Sequence, residues 1–162
     1  MSLVLAPQLL FPQGLGTLTG YTADISSSGT AAASSVSGGN AAANAIDDST
    51  STYWQSTSNS GQWLEVTFSA DKIIRKMTMR NTGSGAGFNA LPSGADLQYY
   101  NGSSYVTVAS VTPTGVDTLQ EFTLDESPGS TKWRILQTAN AIAGPGTNIA
   151  LDEVEMMEGT YA

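Results

Sequence analysis

The sequence predicts an all-β domain, an antiparallel jelly-roll β-sandwich of about eight strands. Three observations carry that prediction. From residue 62 onward, short segments alternate apolar and polar side chains with a period of two, the pattern of a strand with one buried face. Turn residues interrupt these segments at intervals of roughly ten. No segment holds a long helical period, so strands do not alternate with helices and a parallel α/β sheet is not expected.

Taken in order, residues 1–25 read as an arm: Leu and Val mixed with Pro, Gly and Gln, without a clear period. The stretch ADISSSGTAAASSVSGGNAAAN, from Ala23 on, is small and polar. It fits either a flexible linker or a tightly turned segment lying on a sheet, and the second reading is preferred from Ala33 onward. QWLEVTFS places Leu64, Val66 and Phe68 on one face and Trp63, Glu65 and Thr67 on the other. KIIRKMTMRN places Ile73, Met77 and Met79 together. ADLQYY and SYVTVASV flank Asn101-Gly102, the strongest short-range hairpin signal. QEFTLD, TKWRILQT and IALDEVEMM complete the set. Trp63 and Trp133 fall on strands and are assigned to the core.

The composition excludes several functions. The chain of 162 residues has the size of one domain. It carries a net charge of −8 with only six Lys and Arg, so there is no basic cluster to neutralise phosphates, and no nucleic acid is expected as a partner. With no Cys and no His, disulfides, thiolate nucleophiles, Cys/His zinc sites and His-dependent triads are ruled out. A bound metal would have to be a hard cation held by oxygen, such as calcium. The N-terminal residues lack the basic start of a signal peptide, and no run is long and apolar enough for a membrane helix.

AIDDSTSTYWQS, residues 45–56, poses a specific question, because a polar loop ends in a tryptophan. Together with "ASS" at 33–35, Asn40, "GQWLEVTF", "KIIRKMTMRN", "LQYYNGSSYVTVAS", "TKWRILQT" and "IALDEVEMMEG", it resembles the discoidin family, the coagulation-factor 5/8 type C domain within the galactose-binding-like group. The resemblance spans about 130 residues and begins after the arm, giving a domain over 26–162. The sequence departs from the family at Asp48, where Gly is preferred, and at Tyr105, where Trp is usual. The bracketing cysteine pair of animal members is absent, which suggests a microbial or phage branch.

The resemblance implies that the loop wraps a structural Ca²⁺ ion, with ligands Asp47, the Ser49 carbonyl, Thr52 and Glu153 from the last strand, and with Trp54 anchoring the loop end. The alternative is that Asp47 and Asp48 simply cap turns through Asx hydrogen bonds. The resemblance also implies a sugar site in the loops at one end of the barrel. Sugar recognition needs an aromatic face and polar groups for the hydroxyls. The loop 80–94 supplies Arg80, Asn81, Phe88 and Asn89, the loop 139–148 supplies Asn140 and Asn148, and Tyr53 borders them. Phe88 and Leu91 are too few apolar residues for membrane insertion. Glu153 and Glu155 share a strand face, but the family is non-catalytic and no enzyme is expected.

The expected function is a non-catalytic module recognising glycan on a cell surface, carried as a subunit of a larger particle of the phage tail or head-decoration type. Residues 1–25 would bind a neighbouring copy or another virion protein. The chain would then be found in a virion or at a cell surface. The alternative is a purely structural subunit without glycan binding.

Overall fold

The computed structural model describes residues 16–80, 90–114, 118–143 and 147–162. Two antiparallel sheets form a sandwich. The first has the order β1-β11-β5-β8, with β1 Leu18–Tyr21, β5 Ile74–Arg80, β8 Gln120–Thr123 and β11 Glu153–Tyr161. The second has the order β2-β4-β9-β6-β7, with β2 Thr30–Ala33, β4 Trp63–Lys72, β6 Pro92–Tyr100, β7 Tyr105–Val111 and β9 Ser130–Ala141. A two-stranded ladder joins β3 Trp54–Gln55 to β10 Ala150–Leu151. The eleven segments exceed the eight expected because short strands such as β1, β2, β3 and β10 carry too few residues to show a period. No α-helix occurs among the described residues.

The core lies between the sheets, built on Trp54, Leu64, Val66, Met77, Met79, Leu97, Trp133 and Val154. The alternation in β4 is as expected, with Leu64, Val66 and Phe68 buried. Trp63 is not a core residue. It lies on the opposite face of β4 from Leu64 and is half-buried, unlike the fully buried Trp133. Period-2 geometry decides this, since neighbours on a strand point to opposite faces.

Strand β5 also differs from expectation: Ile74, not Ile73, enters the core. In the ladder with β11, Met157 pairs with Lys76 and Glu158 with Ile74. Arg75 is therefore an extra residue, a β-bulge that resets the alternation so that Ile74 and Met77 share a face.

The β6–β7 hairpin forms, but its loop runs over residues 101–104 rather than two residues. Asn101 organises it. Its Oδ1 accepts the Ser103 and Ser104 N–H groups, each at 2.9 Å, and Gly102 supplies a φ of +97°.

The small polar stretch is a turned segment on a sheet. Ala31 pairs with Val66 and Ala33 with Leu64. The Ser34 and Ser37 N–H groups donate to the carbonyls of Trp63 and Gln55. Part of the expected arm also belongs to the fold. Leu18 pairs with Tyr161 and Tyr21 with Gly159, making β1 an edge strand. Asp24 accepts the Ser26 and Met156 N–H groups at 3.0 and 2.7 Å. Residues 1–15 of the arm lie outside the described residues.

Strand directions define two ends. β5 finishes, and β6 and β11 begin, at the end that also holds the 45–53 loop. The opposite end holds the 101–104 loop, the β4–β5 turn and the β8–β9 connection.

Candidate functional site

The polar loop 45–53 is positioned by its tryptophan. Trp54 is 1% exposed, pairs with Leu151 in the β3–β10 ladder, and donates Nε1–H to the Ser35 carbonyl at 2.9 Å. Glu153 follows Leu151 by two residues, so the ladder that holds Trp54 also brings β11 to the loop. Asn44 adds a second tie, donating Nδ2–H to the Tyr53 carbonyl at 3.1 Å.

Within the loop, three of the four expected metal ligands converge. Asp47 Oδ2 accepts the Thr52 hydroxyl at 2.7 Å, and Thr52 Oγ1 lies 3.3 Å from the Ser49 carbonyl oxygen. Asp47 Oδ1 accepts the Ser49 N–H at 3.0 Å, an Asx turn. The next residue, Asp48, has φ +57°. That left-handed conformation explains a preference for Gly at this position.

Glu153 is 6% exposed, and its Oε1 is buried without a hydrogen-bond partner. Burial raises its pKa from the ordinary 4.5 to about 8, and the negative charges of Asp48, Glu155, Asp24 and Asp47 push the same way. Burial also raises Glu155, partly opposed by a hydrogen bond from Thr78. Four acidic neighbours thus face one buried carboxyl without a counter-charge of comparable reach. Among the described residues no three His, Cys, Asp or Glu side chains group closely enough to hold a metal by themselves. Any cation here would depend on the Ser49 carbonyl and the Thr52 hydroxyl as well as on Asp47 and Glu153. Neutral oxygens beside carboxylates are a donor set that suits calcium.

Arg80 ends β5 directly opposite Glu153 in the ladder. Its Nε lies 3.8 Å from Asp152 Oδ1, with the Arg80 side chain 23% exposed and that of Asp152 1% exposed. Asp152 was not among the expected site residues. Its signal was the polar residue interrupting the apolar run of Ile149–Leu151 and Val154, where β10 hands over to β11. Asp24 was also missed, although an Asp two residues before Ser26 is an Asx-turn pattern. Tyr53 is half-buried beside Trp54 at the same end. Asn140 is exposed and Asn148 half-buried. Asn81, Phe88 and Asn89 lie outside the described residues. The structure therefore brings Arg80, Tyr53, the 47–52 loop and Glu153 to one end of the sandwich.

The comparisons with known proteins agree with this architecture. Among solved structures, the family 32 CBM of NanJ from Clostridium perfringens, determined in complex with galactose, superposes with a TM-score of 0.72 at 20% identity, covering 85% of this chain and 99% of that one. A chitosan-binding module from a chitosanase/glucanase of Paenibacillus sp. IK-5 gives 0.66 at 21%, covering 82% and 97%. The CBM32 of AlyQ, in complex with 4,5-unsaturated mannuronic acid, gives 0.63 at 22%, covering 78% and 92%. At these identities the likeness is one of fold. No curated protein matches the chain. The F5/8 type C domain model matches residues 30–147. With most of the chain matched, and with the sandwich, the tryptophan-anchored acidic loop and the closing strand in place, the chain belongs to the F5/8 type C domain family.

Proposed function

We propose that this domain is a non-catalytic carbohydrate-binding module whose sugar site lies at the loop end, around Arg80 and Tyr53. The observation that carries the reading is the placement of Arg80, at the mouth of β5, held by Asp152 and left one-quarter exposed beside the 45–53 loop. An anchored guanidinium presents donors in a fixed fork to ring hydroxyls, and a neighbouring tyrosine supplies an apolar face. The solved relatives fit this class, since their bound or named partners are galactose, chitosan and unsaturated mannuronic acid. The target would be a glycan on a cell surface.

Calcium is part of the proposal. Asp47, the Ser49 carbonyl, Thr52 and Glu153 would hold it, and its charge would offset the carboxylates around the buried Glu153 Oε1. The ion would be structural, tying the 47–52 loop to the last strand.

The particle-bound role extends the proposal. Residues 1–15 would anchor the module to a neighbouring copy or another virion protein, with β1 remaining in the domain. The rival reading is a structural subunit that binds no sugar.

The test is a glycan array with the full chain in calcium and in EDTA. Specific binding that is lost in Arg80→Lys or Tyr53→Ala, in proteins that melt as the parent does, is the expected result. A blank array from folded protein would overturn the sugar reading and leave the structural one.

A further inference from the structure

An open groove of about 880 Å³ lies at the end of the sandwich opposite Arg80, between the β6–β7 hairpin and the β8–β9 connection. Its volume falls in the upper part of the ~300–1,000 Å³ range of small-molecule sites. Tyr99, Val106, Val108 and Pro128 give the groove an apolar lining. Val106 and Val108 are only partly buried against the core, so their outer surfaces face the groove rather than other side chains.

The polar groups of the groove are strongly biased in charge. Asp71, Asp125 and Glu126 line it, against a single cation, Lys132. Lys132 is already engaged, 3.4 Å from Glu65 Oε1 and 6.0 Å from the Tyr100 ring centroid. Glu126 Oε1 lies 3.8 Å from Arg75 Nη1. Asp71 and Asp125 take part in no ion pair among the described residues. Neutral hydrogen-bonding groups stand beside them. Asn101 spends its Oδ1 on the hairpin loop and leaves its amide nitrogen available, and Thr131 keeps its hydroxyl. Gly129, where a Cβ would lie 3.1 Å from the Asp71 Cβ, lets the two walls approach closely.

An apolar floor, hydroxyl-compatible groups and unpaired carboxylates define the complement. It is a ring with an apolar face, several hydroxyls and a positive charge. We propose that this groove is a second carbohydrate subsite, selective for cationic amino sugars of the glucosamine class. The inference rests on the reading of the domain as a carbohydrate-binding module, but it uses different residues at the other end of the fold. The sugar ring lies on the half-buried Val106 and Val108, and its ammonium groups meet Asp71 and Asp125. Carboxylates that hold an ammonium give charge selection against the acetylated, neutral form of the same sugar.

The test is calorimetric titration of the full chain with glucosamine trisaccharide and with N-acetylglucosamine trisaccharide. The titrations are run at about pH 5.5, where the sugar amines are protonated. The variants are Asp71→Asn/Asp125→Asn, both exposed positions, and Arg80→Lys at the other end. Glu126 is left intact because it pairs with the buried Arg75. The expected result is binding of the glucosamine trimer that weakens roughly tenfold in the double variant and falls with added salt. The acetylated trimer should bind at least about tenfold more weakly. Equal affinity of parent and double variant, equal affinity for the two trimers, or no binding of the glucosamine trimer would overturn the groove. If the groove fails while neutral sugars still bind in an Arg80-dependent way, the carbohydrate reading of the loop end stands. If no sugar binds at all, both fall.

Discussion

Replacing Glu153 by Gln should stabilise the metal-free protein and remove its response to calcium. In the fold, burial and then the negative charges of Asp48, Glu155, Asp24 and Asp47 raise the Glu153 pKa from 4.5 to about 8. The folded protein therefore keeps a proton that the unfolded chain releases above pH ~4.5. The folded state binds more protons, so stability contributed by the protonated carboxyl is fully present below pH ~4.5 and is lost as pH rises towards about 8. At ~1.4 kcal/mol per unit, the full shift corresponds to a loss of ~5 kcal/mol above pH ~8, and to ~3 kcal/mol at pH 7. Loop relaxation and solvent reaching the exposed Asp47 and Asp48 reduce this, so a gain of ~1–3 kcal/mol is expected for Gln at pH 7. At ~2–4 °C per kcal/mol for a chain of this size, the midpoint should rise by several degrees.

The assay is thermal unfolding of parent and Glu153→Gln in EDTA between pH 6 and 9, repeated in calcium. The parent should lose stability with rising pH in EDTA, and the variant should lose much less. Calcium should raise the parent midpoint and flatten its pH dependence, because the cation replaces the proton as partner of the buried carboxylate. A parent that melts at one temperature across this pH range in EDTA would refute the electrostatic argument. So would a Gln variant that is less stable than the parent in EDTA at pH 7.

Two further predictions concern the same loop. Asp48→Gly relieves the φ of +57° and removes the carboxylate that, after burial, does most to raise the Glu153 pKa. The net gain in EDTA should be ~0.5–1 kcal/mol, larger at pH 8 than at pH 6, since the lost entropy of glycine opposes part of it; chemical denaturation at the two pH values measures it. Trp54→Phe removes the hydrogen bond to the Ser35 carbonyl and part of a fully buried ring. It should cost ~1–3 kcal/mol and raise amide exchange across residues 47–52, seen by hydrogen-exchange mass spectrometry.

The sequence by itself determined the fold class, because alternation in segments such as Leu64-x-Val66-x-Phe68 states which face is buried without reference to any partner. The resemblance to a known family, carried by the sequence, grouped Asp47, Ser49 and Thr52 in one loop, and residues so close along the chain need only local turns to meet. Charge and the absence of Cys and His removed whole classes of chemistry from composition alone. Tertiary structure decided everything that depends on pairing between distant strands. The bulge at Arg75 exchanged Ile73 for Ile74 in the core, and nothing in KIIRKMTMRN marks which residue β11 will skip. The edge strand taken from the expected arm arose in the same way, by pairing of β1 with the last strand. The elevated Glu153 and the ion pair of Arg80 with Asp152 depend on residues more than seventy positions apart, or on several carboxylates gathered from three parts of the chain. Electrostatics and cavities are set by distances through space, which a period along the chain does not encode. The groove at the far end likewise gathers residues from the end of β4, the β6–β7 hairpin and the β8–β9 connection.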